Sequence, residues 1–348
     1  MERFANQPLG SEPRILVLGT AKLGNLVVLM PLLRALKRRH PQGQVLYRGS
    51  ERTRELEDPC PWIDQRFGAS EQLPRAVDLL INADAHNPSS AALVQQLAPR
   101  FVVGPAMGLA DGEHPLQQLA VDPAWADPYL AKRYAGWLTT ASIRDLHCRV
   151  CWLNPGDVET VELPEEQPCL PIPPVLLSVN GERRAKLWPV EHWLELLALL
   201  EQRLGRPANH VGLVGAAPSA QGPWVETRLL EAGLIDLRGK LSLPQLVGAY
   251  RQCALAIGVD SGPLHLAAAA GCPTVAIFGT DTTGIGASPQ RLWAPQQPWV
   301  KLTSSPVRCN GCLEAGYRND GCLLPQHRCM ETILPQQVME LAEGLLAP

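Results

Sequence analysis

Two clusters of residues in the second half of the chain have the types and spacing to do chemistry. The first is Asp260-Ser261-Gly262-Pro263, which follows the apolar run Leu255 to Val259 and precedes the Ala-rich stretch Leu264 to Ala270. A second apolar run, Thr274 to Phe278, comes next. The pattern predicts a strand, a turn of small residues at a helix N-terminus, and another strand. Such a turn offers unpaired backbone N–H groups and the positive end of the helix dipole to an anion. Ser261 and Gly262 let a phosphate come close, so the pattern points to a nucleotide diphosphate. A plain helix cap is the competing reading. The second cluster is Cys309, Cys312, Cys322 and Cys329, whose spacing suits four thiolate ligands of zinc, or else free or redox-paired thiols.

The elements that must position these residues alternate. Arg14 to Leu18 predicts a first parallel strand, Gly19 to Asn25 a turn, and Leu26 to Arg39 an amphipathic helix with a basic end. Strands follow at Gln44 to Arg48, Val77 to Ile81 and Phe101 to Val103. Asp111 to Val158 is irregular and reads as a helical insertion lining a cleft. Glu162 to Pro174 holds five prolines and reads as a linker between domains. Alternation then resumes with strand Val175 to Val179, helix Val190 to Leu204, strand His210 to Val214, and helices Trp224 to Ala232 and Leu243 to Cys253. A helix from Pro335 to Leu346 closes the chain. Strands alternating with helices argue for α/β architecture with doubly wound parallel sheets. We expect domains at 1–165 and 175–334, with 335–348 packing back on the first. Ligands of open α/β sheets bind at the carboxyl ends of the strands, which puts both the Gly24 and Asp260 turns on a cleft between the two halves.

Composition narrows the function classes. The 348 residues are 46% hydrophobic and 19% charged, with a formal charge of −3, so no nucleic-acid-binding surface is indicated. No apolar stretch reaches the roughly 18 residues of a membrane span. The first residues, MERFANQPLGSEP, lack a basic-then-apolar signal pattern and read as a frayed lead-in. Ten cysteines without an export signal do not imply structural disulfides. The expectation is a cytoplasmic protein, with peripheral contact at the inner membrane left open.

Asp260 to Ala269 followed by Val275 to Thr280 resembles the signature of glycosyltransferase family 9, the heptosyltransferase-like enzymes. Arg14 to Leu36, Lys186-Leu187-Trp188-Pro189 and Leu237 to Leu243 resemble further blocks of that family, in the same order. The resemblance implies a GT-B fold of two Rossmann-like domains facing a central cleft. The acceptor would lie on the first domain and the nucleotide-sugar donor on the second. It implies inverting, metal-independent transfer of a heptose-like sugar from a donor such as ADP-heptose to a lipopolysaccharide core or related glycan acceptor, with no cofactor required. The departing diphosphate must then be stabilised and the acceptor hydroxyl deprotonated. On that reading Lys186 and Arg184 are cations for the diphosphate. Ser261, Gly262 and Leu264 supply helix-end donors beside Asp260, and Pro263 sets geometry without an N–H. His265 bonds the phosphates or holds the turn. Thr280 and Asp281 stand near the sugar or the diphosphate.

Two departures from the family pattern matter. Many members read Leu-Gly-Asp where this chain has Leu23-Gly24-Asn25, and an amide cannot take a proton at neutral pH. Asn25 orients an acceptor without activating it, which leaves Asp84 and His86 as substitute bases. An acidic residue often stands two positions after the block's serine, but here Ser242 is followed by Leu243 and Pro244. Arg133, Trp137 and Arg144 are expected on a solvated face, with contact to a charged acceptor as the alternative. Cys148 and Cys151 read as local packing. The competing functions are a protein that binds a nucleotide sugar or glycan without transfer and, less favoured, a GT-B epimerase.

Overall fold

The computed structural model describes residues 1–84, 87–104, 142–154, 156, 161–217, 224–280, 286–316 and 318–347. The chain divides into two units, Met1–Glu162 and Leu163–Pro348. Each holds a six-stranded sheet whose strand pairs are all parallel. The first sheet contains β1 (Glu2–Arg3), β2 (Arg14–Leu18), β3 (Gln44–Arg48), β4 (Gln65–Phe67), β5 (Leu79–Asn82) and β6 (Phe101–Val103), in the order β1-β6-β5-β2-β3-β4. The second contains β7 (Val175–Ser178), β8 (Val211–Leu213), β9 (Ile235–Asp236), β10 (Leu255–Val259), β11 (Thr274–Phe278) and β12 (Val300–Ser304), in the order β12-β11-β10-β7-β8-β9. Both orders are doubly wound. The direction of winding reverses between β2 and β5 in the first unit and between β7 and β10 in the second, and such reversal points are where these sheets take ligands.

The central strands are continuous apolar runs because both faces are covered. Every residue of β10 and β11 is buried. In the second unit Val175, Leu177, Ile257 and Ile277 share a core with Trp188 and Trp193. In the first, Leu16, Leu18, Leu46 and Leu80 pack with Phe67 and Val102. The helix Leu23–Arg39 is buried from Leu26 to Leu36 and packs against the helix Ile143–Val150. Its last turn carries Lys37, Arg38 and Arg39, the charge that suits a helix C-terminus.

Several expectations are corrected. The opening residues are not frayed: Glu2 and Arg3 pair with Phe101 and Val102, and Phe4 is buried edge-on to Phe101 at 6.1 Å. The first helix begins at Leu23, so Gly24 and Asn25 form its first turn rather than a loop, which the Leu26 N–H closes on the Lys22 carbonyl at 3.0 Å. The proline-rich stretch has neither helix nor strand. From Leu163 it belongs to the second unit, where the Glu166 N–H bonds the Pro244 carbonyl at 3.1 Å. The terminal helix Pro335–Leu346, expected on the first domain, buries Val338, Met339 and Ala342 in the core of the second unit. Most of the irregular insertion, with Arg133 and Trp137, lies outside the described residues, as does His86. Arg144 is on no solvated face; it is buried in the helix Ile143–Val150. Among the described residues no helix is long and apolar enough to cross a membrane.

That same helix carries a group sensitive to acid. Burial pushes the His147 imidazole down to about 4, against a hydrogen bond to the Val28 backbone and with help from Arg144. The unfolded chain takes this proton near pH 6.5, about the ordinary histidine value. Stability from neutral His147 is therefore complete above that value, falls as pH drops through the window, and levels off below the folded value. Urea unfolding followed across this window is expected to lose about 3 kcal/mol. His147→Gln flattens that part of the profile.

Candidate active site

The elements of the second unit bring Lys186, Asp260, Ser261 and His265 together at the carboxyl ends of β7 and β10. Lys186 ends a single helical turn, Arg184–Lys186. Trp188 fixes that turn from below: its ring is fully buried, its Nε1–H donates to the Ile333 carbonyl at 2.9 Å, and it meets Trp193 edge-to-face at 4.9 Å. Pro189 then caps the helix Val190–Leu204. The Lys-x-Trp-Pro block thus has one residue for chemistry and two that anchor it.

Asp260 closes β10. Its carboxylate is buried, accepts from Lys186 Nζ at 2.6 Å and from His265 Nε2 at 3.2 Å, and also accepts from Ser288 Oγ. Burial alone would raise the Asp260 pKa. The Lys186 ammonium and the His265 hydrogen bond outweigh it and hold the group far below the usual carboxylate range. Asp260 is thus a charged anchor, and His265 holds the turn by giving it its Nε2–H. Lys186 has three N–H donors and gives one to Asp260, which leaves donors for an anion.

Ser261 is the N-cap of the helix Gly262–Ala269, in extended conformation, yet its hydroxyl makes no capping bond. The helix is buried from Leu264 onward, so only its first residues, 261–263, reach the surface of the unit. Among the described residues Ser261 Oγ is buried with no hydrogen-bond partner, and so are Asn180 Oδ1 and Thr280 Oγ1. Each of these residues lies two positions past the end of its strand, on the adjacent strands β7, β10 and β11. Leaving such a group unsatisfied costs about 1–3 kcal/mol. Three in a row beside a cation and a helix start describe a place for a polar ligand.

The other expected residues divide. Arg184 is exposed and bound to Asp320, through its N–H at 3.1 Å and its Nε at 2.6 Å, rather than to the Asp260 group. Asp281 lies outside the described residues. Asn25 belongs to the first unit, half-buried at the start of its helix. Asp84 also stands at that unit's reversal point, but its Oδ2 accepts from Asn87 Nδ2 at 2.7 Å and Ser90 Oγ at 2.8 Å and so organises the helix Pro88–Leu97. Ser242 caps the helix Leu243–Gln252 in a capping box with Gln245. A cavity of about 480 Å³ in the first unit, between the residues after β1 and the end of the first helix, contains none of the candidates. Ser288 and Asn180 were missed by sequence reasoning, and nothing in their local sequence marks them.

The zinc alternative gains no support among the described residues. All ten cysteines are unpaired thiols, and among the described residues no group of three or more His, Cys, Asp or Glu is disposed to hold a metal ion. The sulfurs are engaged with the protein instead: Cys312 accepts from Asn319 Nδ2 at 3.1 Å and Cys322 donates to the Gln326 carbonyl at 3.7 Å. Cys329 accepts from the Ala287 N–H, and burial, with Cys309, Cys312 and Cys322 nearby, pushes its thiol up to about 12.

With this geometry in place, comparison with known proteins is decisive for the family. Residues 71–319 match the model of glycosyltransferase family 9 (heptosyltransferase). The chain belongs to that family. Among curated family 9 proteins, a lipooligosaccharide heptosyltransferase 2 of Campylobacter jejuni is 35% identical over 115 residues, 32% of this chain and 31% of its own. The chain spans between 31% and 39% of the length of the curated relatives it matches. Three solved structures share the fold. A glycosyl transferase family 9 protein of Veillonella parvula has TM-score 0.65 at 17% identity, covering 98% of this chain and 99% of that one. The E. coli ADP-heptose lps heptosyltransferase II has 0.62 at 20%, covering 96% and 98%. The iron-containing dodecameric glycosyltransferase TibC of enterotoxigenic E. coli has 0.62 at 20%, covering 97% and 77%. The family 9 chain is therefore α/β of the GT-B class, as its two doubly wound sheets indicate.

Proposed function

We propose that this family 9 chain is a heptosyltransferase of lipopolysaccharide core assembly, taking a heptose-like sugar from an ADP-linked donor to a glycan or lipid-linked glycan acceptor. The observation that carries the reading is the row of unsatisfied polar atoms, Asn180 Oδ1, Ser261 Oγ and Thr280 Oγ1, beside Lys186 at the reversal point of the second sheet. The donor's diphosphate sits against the start of the helix Gly262–Ala269, where the first N–H groups and the dipole receive negative charge. Lys186 completes the neutralisation as the sugar leaves. Charge on the departing diphosphate is met by a cation and fixed N–H donors, so no metal enters this scheme. The four cysteines are given no ion in it; the sulfurs of Cys312, Cys322 and Cys329 bond protein groups. Direct attack by the acceptor hydroxyl on the sugar inverts its configuration. The acceptor belongs to the first unit, and contact with the membrane surface is the acceptor's requirement, not a property of any spanning segment.

The test is calorimetric titration with ADP, followed by a transfer assay with ADP-heptose and a heptose-deficient core acceptor. Micromolar binding with turnover is expected. Absence of ADP binding at millimolar concentration sinks the proposal.

A second reading, binding without transfer, is favoured by Asn25, which stands where the family base is expected. Replacing it tests the point. Asn25→Asp is expected to raise turnover by about 10²-fold, the lower end of the general-base range of about 10²–10⁴. The gain stays below the top of that range because a helix N-terminus favours the carboxylate and weakens it as a base. Unchanged turnover places the base on another residue.

A further inference from the structure

The segment from Cys309 to Cys329 is tied to the Lys186 turn at almost every polar group the turn offers. The Ala185 N–H donates to the Asp320 carbonyl at 2.7 Å, and the Ala185 carbonyl accepts from His327 Nε2 at 2.8 Å. Since a carbonyl only accepts, His327 carries its proton on Nε2. The Arg184 N–H and Nε both donate to the Asp320 carboxylate. Arg183 donates through Nε to the Asn319 carbonyl at 2.8 Å and through Nη2 to Asn319 Oδ1 at 3.0 Å. These partners are 135 to 142 positions apart in the chain.

The tie extends to the other half of the ion pair. Arg183 Nη1 donates to the Ala287 carbonyl at 2.9 Å, and the next residue, Ser288, donates to the Asp260 carboxylate. Ala185, Ala287 and Cys312 form a small apolar cluster beneath. Asn319 is in turn held by the Gly321 carbonyl at 2.8 Å. The strap grips the turn that carries Lys186 directly, and it also holds the loop before Ser288, whose Gly286 N–H donates to the Cys309 carbonyl at 2.8 Å.

We propose that this strap, through Asn319, Asp320 and His327, is the positioning element that sets the Lys186 ammonium for a diphosphate ligand. The three residues are positioning residues: they act through Lys186 and touch no substrate. The inference rests on the donor-site reading above.

The strap variant Asn319→Ala with Asp320→Ala removes the side-chain acceptors of Arg183 and Arg184. We expect its ADP Kd to rise about tenfold, a change of about 1.4 kcal/mol. The direction is informative. Deleting a carboxylate near an anion site should by charge alone strengthen ADP binding, so weakening means lost geometry. The single variant Asp320→Asn deletes the same carboxylate but keeps an acceptor oxygen for Arg184, and it leaves the Asn319 amide its bonds to Cys312 Sγ and the Gly321 carbonyl; it is expected to stay within about twofold of the parent. His327→Ala, which removes one bond to the turn, gives a smaller rise and serves as an independent reading if the double alanine variant does not fold.

A double-mutant cycle with Lys186→Ala separates positioning from general support. If the strap acts through Lys186, its alanine variant adds nothing further once Lys186 is gone. Additive losses overturn the inference, as do strap variants that bind ADP like the parent while Lys186→Ala does not. Should Lys186→Ala itself bind ADP normally, the donor-site reading fails first and the strap inference with it.

Discussion

Lys186→Ala is expected to lower kcat/KM for the nucleotide-sugar donor by about 10²–10³, the loss typical of removing one preorganised charge or donor at a developing anion. The side chain is partly buried, and its ammonium is held by Asp260 at 2.6 Å. On the proposed donor reading, that hold lets it approach the diphosphate from a fixed direction. Steady-state kinetics with ADP-heptose measure the effect. The loss should fall on kcat as well as KM, because negative charge on the diphosphate grows as the sugar departs. A variant with unchanged kcat and raised KM would make Lys186 a binding residue only. Lys186→Arg keeps the charge but not the compact ammonium that fits against Asp260, and should recover only part of the rate.

Asp260→Ala is expected to have the largest effect on stability. The carboxylate is the acceptor for Lys186, His265 and Ser288 together. Removing one partner of a buried ion pair costs about 3–5 kcal/mol, because the remaining charge stays uncompensated. Lys186 keeps some exposure, which puts the expected loss at the lower end, about 3 kcal/mol by urea unfolding of the second unit. The pH dependence separates this group from His147. Because the folded pKa of Asp260 is depressed, its contribution is complete above the ordinary carboxylate value and disappears only as pH falls through the much lower folded value. The difference between the parent and Asp260→Ala should thus stay constant where the His147 effect unfolds its whole range. A difference that shrinks between pH 6.5 and the ordinary carboxylate value of about 4 would mean that the Asp260 carboxyl is not held by its neighbours.

The strand, turn and helix around Asp260 were legible because their signals are local: two apolar runs, a small-residue turn and an Ala-rich helix lie within 24 consecutive residues. The central strands β2, β3, β7, β10 and β11 were legible for the same reason. The edges of the sheets were not. β1, β4 and β9 are two or three residues long, and β12 alternates exposed Lys301 and Leu302 with a buried Thr303, too weak a pattern to stand out from a loop. Ser288 and Asn319 were invisible for another reason. Their contacts join positions 28 and 136 apart, and no local propensity encodes a partner at that distance. Arg184 shows another such partner: residue type and proximity to Lys186 suggested a ligand contact, and the structure pairs its Nε with Asp320, 136 positions on. The cysteine spacing was read for zinc or else for free or redox-paired thiols, and the residues between the cysteines hold the more informative contacts.

The route from the ribosome follows from where the Lys186 turn finds its partners. Trp188 bonds Ile333, the turn itself is held by 319–327, and the core beneath needs Val338 and Met339. Domains tend to form as the chain emerges, earlier ones first. The first unit can be complete while the second is still being made, but the Lys186 turn, even once Asp260 has appeared, waits for roughly 130 to 150 further residues before 319–327 and Ile333 can hold it. A nascent second unit would expose β7 and the half-made turn throughout that delay, the stage at which this protein is most in need of a chaperone.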